Sequence, residues 1–342
     1  MPNIRLKEVA AEAGVSVATA SAALRGEASV KPSTREKVEA AAKKLNYQKH
    51  SAASVLSYLQ KRQSQKSVFM AWVTALPAID LEFKLSMNLA AAEAARLGVR
   101  FEHINVTNSN ELAHTFREIE ARGCDGIVLG GTLAPDGCEI PLNRFSVVAT
   151  HEGWFRQGVD VVRENQFRKT LSLLKRVRKA GHKRIGICMR TLSPLHPDDE
   201  SRLGAASYFS DWVLTGRERI PIIRIPFEAS DAAEQLSKWT AEYNPDVVMG
   251  FNITELKLLR EVGVAVPEKL NFVALHVEAE NRGLIAGCQY NQEIIPEYAV
   301  RVLYEKMCHG VRGLSVHPQE TVVYTPILAG ASCPALIGDP VE

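Results

Sequence analysis

From residue 67 onward, short apolar runs alternate with longer amphipathic stretches, and this alternation restricts the fold more than any other feature. Apolar runs at 68–74, 101–106 and 126–130 are separated by helix-like stretches at 84–97 and 113–122, and the pattern continues to residue 309. Strands that alternate with helices of this length form parallel sheets. Roughly ten strands are too many for one open sheet with a single core, so we expect two doubly wound α/β lobes. Ligands should bind beyond the carboxyl ends of their strands.

The first 46 residues follow a different pattern, because they are rich in alanine and strongly helical. A first helix of residues 6–13 should end at Gly14, and a second of residues 17–24 follows Ser16, whose hydroxyl can cap it. Two helices joined by a short turn and followed by a third predict an all-α helix-turn-helix headpiece. A generic three-helix bundle has the same helix lengths and remains the alternative.

Charge is divided unevenly along the chain. Residues 1–66 carry 12 Lys and Arg against 5 Glu, a formal charge of +7, whereas the whole chain carries only +2. A basic amino-terminal segment on an acidic body indicates a polyanionic partner. The six cysteines show no paired spacing, and neither a signal peptide nor an apolar run of about 18 residues is present. We therefore expect a cytoplasmic protein with reduced thiols and no membrane partner.

Several segments resemble the lactose-repressor (LacI/GalR) family. In the amino-terminal part they are residues 9–16 (VAAEAGVS), 34–38 (TREKV) and 45–47 (LNY). In the remainder they are residues 124–129 (CDGIVL), 180–185 (AGHKRI), 201–203 (SRL) and 263–267 (GVAVP). The resemblance implies a homodimeric, sequence-specific transcriptional regulator, a repressor, that binds double-stranded operator DNA. Its core would bind a small-molecule effector, a sugar or another metabolite. The alternative is a cytoplasmic small-molecule binding protein with little or no DNA-binding role.

The resemblance also implies a division of the chain into four parts: a headpiece (1–46), a hinge helix and linker (47–66), an effector-binding and dimerisation core (67–332) and a carboxyl-terminal tail (333–342). The core would consist of two periplasmic-binding-protein-like lobes. One lobe would comprise about 67–163 and 291–320, the other about 164–290 and 321–332. The tail is too short for a stable coiled coil.

In the headpiece, the resemblance assigns DNA contacts to the second helix and its surroundings. The hydroxyls of Ser16, Thr19 and Ser21 suit phosphate oxygens, and we expect them to make phosphate contacts; capping and helix-surface polarity are the alternative. At the positions where relatives offer longer polar side chains to base edges, this chain has small ones that can only pack on thymine methyls or sugars. We therefore expect weak direct readout. The expected DNA-contacting residues of the headpiece are Leu6, Ser16, Val17, Ala18, Thr19, Ser21, Ala22 and Arg25.

Residues 52–56 resemble the segment that, in the family, folds over the minor groove in the dimer. Leu56 would be the wedge that opens a base step, Ala53 would allow close approach, and Lys49 would meet a phosphate. The alternative is that Leu56 packs only against the hinge of the second subunit.

The resemblance places an effector site in the core, at Asp80, His151, Trp154, Arg202, Asn252, His276 and Tyr290. Arg202 falls on the family's ligand-anchoring arginine, and we expect it to contact a ligand because a buried guanidinium without a partner is costly. His151 and His276 replace aspartates that commonly bind sugar hydroxyls. Either the ligand differs from an ordinary sugar, being more aromatic or anionic, or side chains fill the cleft. For each histidine a structural role is equally open.

Other patterns are weak. Residues 196–200 (HPDDE) gather groups that could bind a metal, but a proline-containing acidic segment predicts a solvated turn. No serine or cysteine nucleophile has a recognisable catalytic context. We expect no enzymatic activity, no cofactor and no metal.

Overall fold

The computed structural model describes residues 4, 6–24, 30–45, 47, 68–74, 81–106, 111–130, 140–151, 157–191, 195–291 and 294–340. For residues 81–83 and 217 it describes the backbone alone. Six of the residues expected to bind DNA or effector lie outside the described residues: Arg25, Lys49, Ala53, Leu56, Asp80 and Trp154.

The headpiece consists of three helices, α1 (Leu6–Ala13), α2 (Val17–Leu24) and α3 (Pro32–Lys44). Gly14 has a positive φ of 66°, a conformation in which glycine ends a helix without steric cost. The helices pack around Val9, Ala20 and Val38, whose side chains are all fully buried. Small side chains at the contacts allow such short helices to approach closely. The predicted helix-turn-helix arrangement is confirmed.

A first six-stranded sheet has the strand order β11-β5-β4-β3-β1-β2. Its strands are β1 (Phe69–Thr74), β2 (Arg100–Asn105), β3 (Gly126–Leu129), β4 (Ser146–Ala149), β5 (Val161–Glu164) and β11 (Glu320–Val323). The pairings β1–β2, β1–β3, β3–β4 and β4–β5 are all parallel. The helices of this part are α4 (Leu81–Arg96), α5 (Leu112–Ala121) and α10 (Ile295–His309), with a short 3-10 turn at Leu142–Arg144.

A second six-stranded sheet has the order β12-β10-β9-β8-β6-β7. Its strands are β6 (Ile185–Thr191), β7 (Ile223–Pro226), β8 (Val247–Gly250), β9 (Asn271–Val277), β10 (Ala286–Gln289) and β12 (Ile327–Leu328). All recorded pairings are parallel except β10–β12. Its helices are α6 (Gln166–Lys179), α7 (Pro197–Trp212), α8 (Ala232–Tyr243) and α9 (Ile253–Glu261), with 3-10 turns at Gly216–Glu218 and Ala279–Asn281. The expected fold class, an all-α headpiece followed by two parallel α/β sheets, is confirmed.

The chain divides into two compact units. Unit 1 comprises residues 1–162 and 296–320, and unit 2 comprises residues 163–295 and 321–342. Each sheet has its own apolar core, as its buried strands require. The described part of the expected tail packs into unit 2, because Cys333 and Leu336 are buried in its core. Asp339 also accepts a hydrogen bond from the hydroxyl of Tyr324 (2.8 Å). This segment is therefore part of the folded unit.

The start of α7 differs most from expectation. The sequence predicts a solvated turn at 196–200 and a helix only from residue 205, but the helix begins at Pro197. Proline fits the first helical turn because its missing N–H would have no partner there. The Nδ1 atom of His196 accepts the N–H of Asp198 (3.2 Å), and acidic residues follow where the helix dipole favours negative charge. Among the described residues, no helix is long and apolar enough to span a membrane.

Candidate functional sites

The second helix of the headpiece exposes a small, apolar surface. Val17 is 45% exposed and Ala18 is exposed, whereas Ala20 and Ala23 point into the headpiece core. Ser16 caps the helix, since its Oγ accepts the N–H of Thr19 (3.0 Å). The remaining expected DNA-contacting residues of this part, Leu6, Thr19, Ser21 and Ala22, are half-buried. Among its described residues, the exposed part of α2 carries no long hydrogen-bonding side chain.

Arg202 lies on α7 in unit 2, and its guanidinium is bonded to other side chains of the protein. Nη1 donates to Oδ1 of Asp199 (2.7 Å), and Nε donates to Oε1 of Gln166 (3.2 Å). A carboxylate oxygen of Asp198 lies 3.8 Å from Nη2. We expected Arg202 to need a ligand because it would otherwise be buried without a partner. That argument was wrong, because residues of α7 and α6 already provide its partners.

Asn252 begins α9 directly after Phe251. Its Oδ1 accepts the N–H of Thr254 (2.9 Å), and Oε2 of Glu255 accepts the N–H groups of Phe251 and Asn252 (2.9 Å each). This reciprocal arrangement is a capping box, which fixes the start of the helix. Burial raises the pKa of Glu255 from its usual value. The single oxygen of the Asn252 side chain therefore already accepts a hydrogen bond within the protein.

Four rings lie in sequence at the carboxyl end of the second sheet, and we call them the aromatic row: Phe227, Phe251, His276 and Tyr290. Their centroids are separated by 5.5, 4.4 and 4.9 Å in that order. The guanidinium of Arg202 lies 5.0 Å from the centre of the Phe251 ring, within reach of a cation–π interaction. Arg202 and His276 thus lie against the Phe251 ring, Tyr290 lies next to His276, and Asn252 follows Phe251 directly in the sequence.

His276 is the least solvated member of the aromatic row. It is 6% exposed, and its Nε2 atom is buried without a hydrogen-bond partner among the described residues. Burial, with the positive charges of Lys169 and Arg202, lowers the pKa of His276 well below its usual value. The ring is therefore neutral at physiological pH and can offer or accept a hydrogen bond at Nε2.

Sequence reasoning missed two buried cations of this region. Nζ of Lys169 lies 2.7 Å from Oε2 of Glu164, and both side chains are almost fully buried. Arg190, near the end of β6, donates from Nη2 to the carbonyl of Phe227 (2.8 Å) and lies 3.8 Å from Glu255. A signal for Lys169 was present, because it stands four residues before Leu173 on the buried face of α6.

The carboxyl edge of the first sheet has a different composition. Oγ1 of Thr74, at the end of β1, bonds Nε2 of His103 (2.9 Å) and donates to Oδ1 of Asn105 (2.8 Å). Burial lowers the pKa of His103. His151, half-buried, follows β4. Within the described residues, no group of three or more His, Cys, Asp or Glu side chains is suited to hold a metal ion.

Comparison with known proteins gives three kinds of similarity. Residues 5–50 match the family described as "Bacterial regulatory proteins, lacI family". The maltose regulon regulatory protein MalI of Escherichia coli (strain K12) is 28% identical over 188 residues, which cover 53% of this chain and 52% of that protein. The match thus spans about half the length of the curated relative.

Two solved structures resemble nearly the whole chain. The transcriptional regulator CelR, in complex with cellobiose, has a TM-score of 0.60 at 17% identity, covering 96% of this chain and 99% of that one. The lac repressor dimer bound to operator and the anti-inducer ONPF has a TM-score of 0.59 at 15% identity, covering 97% and 99%. Likeness at such low identity concerns the fold. Residues 5–50 therefore match the lacI family of bacterial regulatory proteins, and the chain as a whole has a fold similar to those of these two regulators.

Proposed function

We propose that this protein is a dimeric, sequence-specific DNA-binding transcriptional regulator that acts as a repressor in the cytoplasm. The observation that carries the proposal is the helix-turn-helix headpiece, which matches the lacI family within a segment of charge +7. The lac repressor, whose fold resembles that of this chain, has been solved as a dimer on its operator. The proposal includes no enzymatic activity, since the relatives are regulatory proteins.

The geometry of α2 supports separate phosphate-contacting and base-contacting residues on DNA. Oγ of Ser16 and Oγ1 of Thr19 are 2.8 Å apart, so one hydroxyl proton joins them and the other can bind a phosphate oxygen. Val17 and Ala18, which are exposed, would pack on thymine methyls in the major groove. Sequence discrimination by this helix would therefore be weaker than with a bidentate arginine or glutamine, by about 1–3 kcal/mol per missing pair.

The headpiece of residues 1–46 would be joined to the core by a hinge of residues 47–66. In this proposal Leu56 of each subunit enters the minor groove, Ala53 permits close approach, and Lys49 and Arg25 meet phosphates. An apolar wedge offsets the cost of unstacking because the bent duplex makes more contacts with the protein.

The contacts of Arg202 and His276 with Phe251, and of Tyr290 with His276, support an effector site at the carboxyl edge of the second sheet, where Asn252 also lies. His151, Asp80 and Trp154 remain candidates for effector contact from the first lobe. Effector binding would change operator affinity only if the effector binds the DNA-competent and DNA-incompetent conformations unequally. CelR was solved with cellobiose, so ring-shaped ligands do occur on this fold.

Binding to DNA fragments tests the proposal. We expect the full-length protein to prefer a duplex from the region upstream of its own gene over a scrambled duplex of equal length, measured by fluorescence anisotropy across a salt series. Absence of binding to any duplex at low salt would favour the alternative, a small-molecule binding protein with little or no DNA-binding role.

The hinge is tested with Leu56→Ala on the same duplexes. We expect at least about a tenfold loss of affinity for the specific duplex and little change for the scrambled one, because the wedge acts on a deformable base step. Leu314→Ala, which truncates an exposed leucine of unit 1, is the control and should bind like the wild type. Equal losses on both duplexes would show that Leu56 only packs against another hinge.

A further inference from the structure

The charged groups buried in unit 2 balance one another. Among its described residues the buried cations are Lys169, Arg190 and Arg202, and the buried carboxylates are Glu164, Glu255 and Asp199. They pair in that order, with nitrogen–oxygen distances of 2.7, 3.8 and 2.7 Å. Each of these side chains is at most 8% exposed. The three buried positive charges thus equal the three buried negative ones, and the less buried carboxylate of Asp198 adds a further negative charge 3.8 Å from Arg202.

This balance limits which ligands the aromatic row can receive. A carboxylate or phosphate would meet no unpaired cation there, and it could gain one only by displacing a buried carboxylate. Leaving a buried charge without its partner is strongly destabilising. A neutral ligand displaces no charge, and a flat ring can stack on Phe251 or on Tyr290, two aromatic residues that are only half-buried.

Arg202 is the cation whose charge such a ligand would meet first. Its guanidinium lies over Phe251, in the middle of the aromatic row, and Asp199 holds it from the preceding turn of the same helix. Lys169 is enclosed with Glu164, which also accepts the hydroxyl of Thr325 (3.1 Å). Arg190 lies 5.2 Å from the centre of the Phe227 ring, at one end of the row, and its Nη2 is already bonded to the carbonyl of Phe227. The Asp199–Arg202 pair is therefore the ion pair that lies at the middle of the row.

We propose that Asp199 determines the charge of the ligand that this site accepts. While Asp199 holds Arg202, the site takes an uncharged compound with a flat ring, which stacks on the aromatic row and hydrogen-bonds to the buried Nε2 of His276. The inference rests on the proposed function only in assuming that this edge binds a ligand. It adds the class of that ligand and names Asp199 as a specificity-determining residue.

The test removes one negative charge without changing shape. Asp199→Asn leaves Arg202 with only the more distant carboxylate of Asp198, so inorganic phosphate should bind at least about tenfold more tightly than to the wild type, in calorimetry at constant ionic strength. Glu234→Gln is the matched control, because it removes the same charge from an exposed ion pair on α8. It should not gain phosphate binding. The double variant Asp199→Asn/Arg202→Gln should lose the gain.

Two probes of the same shape test the ligand class. Benzamide is neutral and benzoate is anionic, and both present a flat ring. The wild type should bind benzamide more tightly than benzoate, and Asp199→Asn should reverse the preference. Equal phosphate binding by wild type and Asp199→Asn would overturn the proposal. So would a wild type that prefers benzoate, or one that does not bind benzamide at millimolar concentration.

Two further measurements keep the result interpretable. If Asp199→Asn does not fold, Asp198→Asn replaces it, because that carboxylate lies 3.8 Å from Nη2 of Arg202 and its loss should produce a smaller gain in the same direction. No gain there would overturn the proposal. Duplex binding is measured on the same samples without ligand. A wild type that binds no duplex contradicts the proposed regulator function, while the phosphate result alone decides the role of Asp199.

Discussion

The two sheets of this protein have the same strand order but different chemistry at their carboxyl edges. Strands β1 to β5 occupy the positions in the first sheet that β6 to β10 occupy in the second. The pairing registers also correspond, since Leu129 faces Ala149 across β3–β4 and Gly250 faces Ala274 across β8–β9. His151 and His276 each stand two residues beyond those alanines. His151 and His276 thus occupy corresponding positions in the two sheets, and the residues around each ring determine its chemistry.

The neighbours differ in charge. At the described edge of the first sheet, Thr74 is hydrogen-bonded to the side chains of His103 and Asn105. Unit 2 instead encloses Lys169, Arg190 and Arg202 with three carboxylates, of which Glu164 is the last residue of β5 in the first sheet. Burying ions is costly unless each is paired, whereas neutral hydrogen bonds contribute modestly. Unit 2 should therefore tolerate the loss of one member of an ion pair far less well than the first sheet tolerates the loss of the Thr74 hydroxyl.

Lys169→Met sharpens this comparison with the largest expected effect. It leaves Glu164 buried without its cation, so the free energy of unfolding should fall by about 3–5 kcal/mol. In the first sheet, Thr74→Val removes a hydroxyl of similar burial and should cost about 1 kcal/mol. Urea denaturation at neutral pH measures both.

The control for this prediction is Lys238→Met, which breaks an ion pair whose side chains are 75% and 66% exposed and should change stability by less than about 1 kcal/mol. If Lys169→Met lowers the free energy of unfolding no more than Thr74→Val does, the buried ion pairs of unit 2 are no more important for stability than the neutral hydrogen bonds of Thr74.

Glu93 shows that unit 1 also contains a buried ion pair, and its contribution to stability should depend on acid pH. Hydrogen bonds from Arg96, together with Arg301, lower its pKa to about 2 although the carboxylate is almost fully buried. Because the folded-state pKa lies below the ordinary 4.5, this stabilisation is present above pH 4.5 and is lost as the pH falls towards 2. Glu93→Gln should therefore cost about 3 kcal/mol at pH 7.

Denaturation curves from pH 7 down to pH 3 check this prediction, and the difference from the wild type should shrink as the pH falls. Glu297→Gln provides the comparison, since this more exposed carboxylate also pairs with Arg301 and should contribute under about 1 kcal/mol. A difference that does not vary with pH would mean that Glu93 acts through packing.

The sequence predicts the central strands of the two sheets better than the short strands near the end of the second sheet. The apolar runs that became β1, β3, β6 and β8 are buried on both faces, so they stand out without structural information. Strands β10 and β12, of four and two residues, carry too little pattern to be distinguished from loops. Their place is fixed by neighbours that are distant in sequence.

For the candidate site, sequence reasoning identified residues that match a family pattern and missed the ones that hold them. Asp199 was assigned to a solvated turn because proline and acidic residues usually occur there. The same residues, however, are typical of a helix start. Only the position of Asp199 one turn before Arg202 shows that a helix would bring the two together. Glu255, on α9, could not be found in this way, because its partner Arg190 lies on β6 and is distant in sequence.

The contribution of His182 of unit 2 to stability should be lost at alkaline pH, whereas that of Glu93 is lost at acid pH. Its ring lies 3.4 Å from Oδ1 of Asp246 and 3.4 Å from Sγ of Cys333. The interactions with Asp246 and then Cys333 raise the pKa of His182 to about 9. The folded-state pKa thus lies above the ordinary 6.5, so the stabilisation is complete below pH 6.5 and is lost as the pH rises to about 9.

His182→Gln should therefore cost roughly 2 kcal/mol at pH 6, allowing for partial solvation of the ring, and the cost should diminish towards pH 9. Urea denaturation at half-unit intervals of pH measures it, with His317→Gln, an exposed histidine of unit 1, as the control. If the variant loses the same free energy at pH 6 and pH 9, the His182 ring is neutral in the folded protein. His182 would then not cause any loss of stability at alkaline pH. The difference between the two units would be limited to the buried ion pairs of unit 2 and the neutral hydrogen bonds around Thr74.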